Sequence, residues 1–276
     1  MKKLTKSRKL RYDYYKNIPG GSTFSKVEYF NDYEVPFALS RCNNAKVYDI
    51  DNNEYIDYIL ANGSVTLGHR NSNVNKAIIN QLKNGISFSL PNKLEIDVSE
   101  LLKKHIPSAE MTRFGKNGND ATTAAIRLAR HYTGKKNILF CGYHSWQDWY
   151  VGKTSKNGGV PEEISKFSHR FVYGNKNSVN NLLKKFENKV ACIIIDPLPA
   201  VENKPNKEFL KYLHQVCKKK NIVYIFDEVV CGFRYLDKSV QGNIGINPDL
   251  SAFSKGIANG MPISALVGKK KIMKKF

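Results

Sequence analysis

From residue 66 onward the apolar positions follow two alternating spacings. Val74, Ala77, Ile78 and Leu82 recur at helical spacing, with Gly85 placed to stop the helix they predict. Leu94, Val98, Leu101 and Leu102 predict a second helix, and the stretch from Ala121 to Tyr132, rich in good helix formers, a third. Between and after these lie short continuous apolar runs at 138–141, 190–195, 222–226 and 263–267. Each is β-branched or aromatic and too short for a buried helix, so each predicts a strand buried on both faces. Phe209, Leu210, Leu213, Val216 and Cys217 place another amphipathic helix between the second and third runs. Buried strands separated by amphipathic helices predict an α/β fold, a mostly parallel sheet sandwiched by helices.

The first part of the chain reads differently. Residues 1–45 are polar and turn-rich, punctuated by Pro19-Gly20-Gly21, and 46–60 predicts two short strands joined by a turn at Asp51-Asn52-Asn53. The expected organisation is an N-terminal segment, 1–65, with short antiparallel strands, followed by a larger domain over 66–276. A length of 276 residues suffices to bury a large core, and 41% hydrophobic with 25% charged residues excludes disorder over most of the chain.

Charge adds a question. The formal net charge is +20, yet the basic residues are scattered lysines in runs such as Lys103-Lys104, Lys135-Lys136, Lys184-Lys185 and Lys218-Lys219-Lys220. Many fall near helix ends, where cations suit the helix dipole, so a solvated surface is the favoured reading. No binding-module motif accompanies them, and no nucleic-acid partner is expected. Five widely spaced cysteines show neither CxxC nor zinc spacing, which argues against a metal site and suits a reducing compartment. Met1–Tyr12 is basic without the apolar stretch of a signal peptide, and no run reaches transmembrane length. The expected location is the cytoplasm, with no membrane partner.

In an open α/β sheet, ligands bind at the carboxyl ends of strands. The run at 222–226 delivers Asp227 and Glu228 to such an end, and Leu250–Ser254 delivers Lys255. Alone, Asp227 reads more readily as a loop carboxylate or helix N-cap, and Lys255 as a solvated loop lysine. Asn117-Gly118-Asn119-Asp120, before the third helix, could be an anion cradle or an ordinary N-cap.

The strings IFDEVVCGFR (225–234), PDLSAFSKGIANGMPISALVG (248–268), RFGKNGNDATTAAIRLAR (113–130) and CGYHSWQDWY (141–150) resemble class III pyridoxal-phosphate aminotransferases. Within that class the resemblance is to glutamate-1-semialdehyde aminomutase and its aminotransferase relatives. It extends to IPGG (18–21), DIDNNEYIDY (49–58) and LGH (67–69). The resemblance implies a fold-type I enzyme using pyridoxal 5′-phosphate. It assigns Lys255 the Schiff base with the cofactor aldehyde and Asp227 the pyridine nitrogen, whose protonation makes the ring an electron sink. It places Val229 and Tyr143 on opposite faces of the ring and the cofactor phosphate on Gly118 and Asn119. His144 is expected to be structural or peripheral, and Asp196-Pro197 stands where relatives carry Glu-Pro.

Three departures bear on the substrate. Ser22–Val27 lacks the arginine that would hold the substrate carboxylate, Asn62 replaces an expected tryptophan, and Asn203 is shifted from the asparagine serving the phenolic oxygen. The first two favour an aminotransferase acting on another amino or keto compound, a sugar among the options. The alternatives are the aminomutase itself and a catalytically inactive fragment. Relatives continue well past the lysine, so the chain is expected to lack a C-terminal small domain and to work as a homodimer or with a second polypeptide.

Overall fold

The computed structural model describes residues 4–19, 36–235 and 239–276, in two compact units, Met1–Ser87 and Phe88–Phe276.

The first unit holds α1 (Thr5–Asn17), an antiparallel sheet of β1 (Leu39–Asn43), β2 (Lys46–Asp49) and β3 (Glu54–Ile56), then α2 (Leu60–Gly63) and α3 (Ser72–Leu82). The expected turn between β2 and β3 is organised by buried Asp49. Its carboxylate accepts from the Asn53 backbone at 2.8 Å, the Asn53 side chain at 2.7 Å and the Tyr55 hydroxyl at 3.0 Å. β1 and α1 were not anticipated. The N-cap of α1, Leu4, makes no side-chain cap bond; instead the Asp51 carboxylate accepts the Lys6 and Ser7 N–H groups, both at 2.9 Å. The acceptor that satisfies the helix start thus comes from a distant turn, invisible to a local pattern.

The second unit runs α4 (Lys93–His105), β4 (Met111–Gly115), α5 (Gly118–Thr133), β5 (Asn137–Cys141), α6 (Asp148–Val151), α7 (Glu162–Ser165), β6 (Ser168–Arg170), α8 (Lys176–Lys185), β7 (Val190–Ile195), α9 (Lys207–Lys220), β8 (Val223–Asp227), α10 (Ser239–Ile244), β9 (Leu250–Phe253), β10 (Ser264–Gly268) and α11 (Lys270–Met273). Its seven-stranded sheet has the order β4-β10-β9-β8-β7-β5-β6. The pairs β9–β8, β8–β7, β7–β5 and β5–β6 are parallel, whereas β10 is antiparallel to both β9 and β4. The sheet is α/β and mostly parallel as expected, with an antiparallel edge that the apolar run at 263–267 does not distinguish.

Alternation along the strands explains why they read as continuous apolar runs. Leu139, Ile193, Ile195, Tyr224 and Phe226 pack with Val179, Leu183, Leu210 and Leu213 of α8 and α9. Ile138, Phe140, Cys192, Ile194 and Ile225 pack with Ala125, Ile126 and Ala129 of α5. Both faces of β5, β7 and β8 are dry, so polar residues within them are scarce, and buried Ser251 inside β9 is hydrogen-bonded to Ser108 and Gln241. The polar residues cluster where the strands stop.

Candidate active site

The carboxyl ends of β5, β7, β8 and β9, four neighbours in the sheet, present Gly142–His144, Asp196, Asp227 and Lys255 in turn. Parallel register brings these ends level: Cys141 pairs with Ile195, Ile195 with Phe226, and Asp227 with Ala252.

Asp227 is 6% exposed. One carboxylate oxygen lies 2.7 Å from Nδ1 of His144; the other accepts the Val229 N–H at 3.1 Å. His144 is 1% exposed, and its Nε2 is 3.1 Å from the Cys141 carbonyl. A carbonyl only accepts, so Nε2 carries a hydrogen, and a 2.7 Å contact with a carboxyl requires a second proton between Nδ1 and Asp227. The imidazole is fixed further by Trp149 and Tyr150, at ring-centroid distances of 5.7 and 5.5 Å. His144 is therefore the direct partner of Asp227. Its structural expectation is sharpened, and the signal available in the sequence was the Tyr-His pair two residues beyond a strand end.

Lys255 follows Ser254, whose hydroxyl donates to the Ile263 carbonyl at 2.8 Å, and opens the 3₁₀ turn Lys255–Ala258. Its φ of 47° lies in the left-handed region, unusual for a side chain with a Cβ. The ammonium is half-buried and has no hydrogen-bond or ion-pair partner among the described residues. Burial lowers its pKa and nearby Arg234 adds to this, while Asp227 and Asp196 oppose. Asp196 is itself pushed up to about 6, by burial first and then by the Asp227 charge.

Gly118 opens α5. A Cβ there would lie 2.6 Å from one methyl of Val229 and 2.9 Å from the other, so the glycine lets the helix start approach Val229 and Ser254. The Asp120 carboxylate accepts the Lys116 and Asn117 N–H groups at 3.1 and 2.8 Å. The N–H groups of Gly118 and Asn119, in the first helical turn, have no acceptor among the described residues. Tyr143 is 69% exposed, its ring edge on Tyr150 at 5.9 Å. Gly142 is required beside it, since a Cβ there would meet that of Asp196 at 2.9 Å.

Glu228, next to Asp227, goes elsewhere. It is fully buried and accepts from the Ser239 hydroxyl, the Val240 N–H at 2.9 Å and the Gln241 amide at 2.8 Å. Gln241 continues the network to Ser251 at 3.0 Å and to the Ser108 N–H at 3.0 Å. Of the three departures, residues 20–35 lie outside the described residues, Asn62 belongs to the first unit, and Asn203 sits in the exposed stretch 201–204.

The donor set suits one kind of small molecule: a buried carboxyl for a ring N–H, a half-buried amine with a lowered pKa, and open helix-start N–H groups for an anion. A sequence profile described as Aminotransferase class-III matches residues 29–276. The chain belongs to the class III aminotransferase family. It is 34% identical over 287 residues to a glutamate-1-semialdehyde 2,1-aminomutase from Methanocaldococcus jannaschii, covering 99% of this chain and 67% of that protein. It is 36% identical over 277 residues to a 3-aminobutyryl-CoA aminotransferase from Cloacimonas acidaminovorans, covering 98% and 66%. Among solved structures, the FumI protein of a Sphingopyxis species, in its PLP internal aldimine form, superposes with a TM-score of 0.91 at 29% identity, covering 98% and 66%. The chain spans about two thirds of the length of these relatives.

Proposed function

We propose that the second unit, Phe88–Phe276, forms the cofactor-binding domain of a pyridoxal-phosphate-dependent aminotransferase. The observation that carries this reading is the half-buried Lys255 amine, unpaired among the described residues, in the turn that follows the strand next to that of Asp227. When bound, pyridoxal phosphate supplies an aldehyde to hold amino groups and a ring that accepts electrons from the substrate's α-carbon. Lys255 Nζ would hold the aldehyde carbon and would move the substrate's α-proton once released, for which a lowered pKa is an advantage. Asp227 would accept the ring N–H, and His144 orients that carboxyl. Val229, packed beside Gly118, would support one face of the ring and the exposed Tyr143 the other, and the Gly118 and Asn119 N–H groups would receive the phosphate.

The substrate is a small amino donor with a keto acceptor, other than glutamate-1-semialdehyde. The absence of arginine from Ser22–Val27 and the presence of Asn62 support this. The aminomutase relatives favour a second reading, in which the amino group returns to the same molecule. A homodimer, or completion by a second polypeptide, is part of the proposal. Its support is the apolar surface of α4, where Leu94, Ile96 and Leu101 are exposed. Five free cysteines, four of them buried, support a cytoplasmic location. Among the described residues no helix is long and apolar enough to cross a membrane.

The test is to mix the purified chain with pyridoxal phosphate, record the visible spectrum, reduce with borohydride and map the peptides. The expected result is a visible band and an adduct at Lys255, both lost in Lys255→Ala. No band and no adduct at that position would overturn the enzyme reading and leave an inactive fragment. A panel of amino donors then separates the two reactions, because only transamination requires a second substrate.

A further inference from the structure

The opposite end of the sheet holds a second concavity. A cavity of about 690 Å³ opens where α5 ends, β8 and β9 begin and β10 finishes, with α9 along one side. This size is in the range of small-molecule sites and too large for a lone inorganic ion. Its walls carry Lys135, Lys218, Lys269 and Lys271, with Asp249 the one acidic residue lining it.

Asp249 does not neutralise that set. One of its oxygens is taken by Lys269 Nζ at 2.7 Å, and the other accepts the Tyr224 N–H at 2.9 Å. Among the described residues Lys135 reaches only a carbonyl, that of Asn221, at 3.3 Å. Lys218 and Lys271 have no ion-pair or hydrogen-bond partner among the described residues. His214, on the same wall, stacks on Tyr224 at 6.1 Å. Its pKa is lowered chiefly by burial, with Lys269 and Lys218 adding and Asp249 opposing, so the imidazole is close enough to the lysines to respond to an anion bound among them. Tyr132, Ile222, Val223 and Ile272 add an aromatic and aliphatic wall.

We propose that this cavity is a second binding site, for a phosphorylated small molecule whose phosphate meets Lys135, Lys218 and Lys271 and whose organic part lies on the apolar wall. Two ammonium groups without a partner among the described residues, and a third held only by a carbonyl, around one concavity favour a group carrying at least two charges on one centre, which a phosphate supplies and a single carboxylate does not. The site lies at the amino ends of β8 and β9, whereas Asp227 and Lys255 follow their carboxyl ends, so the proposal does not rest on the aminotransferase reading. It also gives part of the lysine excess a specific use.

The probe is inorganic pyrophosphate, titrated into the full chain while the His214 ring is followed by NMR, assigned from its loss in His214→Asn. The expected result is one saturable transition, with the His214 pKa rising as the anion offsets the lysines. Lys218→Gln together with Lys271→Gln weakens the binding about tenfold or more. Lys103→Gln together with Lys104→Gln, on α4, leaves it unchanged. A response that never saturates, an unmoved His214, or equal weakening by both variant pairs would each overturn the proposal. The His214 readout is local, so pyrophosphate captured at the start of α5 is not mistaken for it.

Discussion

Asp227 and Glu228 are adjacent, both carboxylates and both buried, yet their surroundings differ in kind. Glu228 sits in a closed network of three donors, Ser239, Val240 and Gln241. Among the described residues Asp227 has one side-chain partner, His144, one backbone donor and an open side toward Lys255, which feels its charge. Burial raises the pKa of Glu228 while its hydrogen bonds oppose the rise, so the network holds a position in the fold. The contrast teaches that burial alone does not mark a chemical carboxylate; unused accepting capacity beside a lone amine does.

The comparison can be broken by substitutions, taken here from the largest expected effect down. Glu228→Ala leaves Ser239, Gln241 and the Val240 N–H without their acceptor and should cost about 3–5 kcal/mol in denaturant unfolding. Asp227→Asn should leave stability within about 1 kcal/mol but weaken pyridoxal phosphate binding about a hundredfold, read by fluorescence titration. Comparable stability losses for the two would erase the distinction.

Asp196 sharpens it through pH. Its carboxyl titrates at about 6 in the fold against an ordinary value of 3.8. Between those values the folded chain keeps a proton that the unfolded chain has lost, so stability falls as pH rises through that window. Asp196→Asn, permanently neutral, should be flat across it and about 2 kcal/mol more stable at pH 7, measured by unfolding at a series of pH values. The smallest effect is expected from His144→Asn, about tenfold in cofactor affinity, since it orients Asp227 without touching the ring.

Much of this was legible in the chain. The strands at 190–195 and 222–226 announced themselves because both faces are dry, and Asp227 and Lys255 stood out as the first charges after such runs. What escaped notice depended on partners distant in sequence. α1 is capped by Asp51, and the antiparallel direction of β10 is set by its place between β9 and β4. The pairing of His144 with Asp227 spans 83 positions and two strand ends, a separation no local pattern encodes. The cavity beneath β8 and β9 gathers lysines from three separate runs, which individually read as solvent-facing charge.

The left-handed backbone at Lys255 has a consequence for anyone improving this protein by thermal screening. Glycine would relax a φ of 47° at that position and also remove a half-buried ammonium. Lys255→Gly should therefore unfold at a higher temperature than the parent, by about 1 kcal/mol, while losing the amine the proposed chemistry needs. A library ranked on melting point alone would promote that variant.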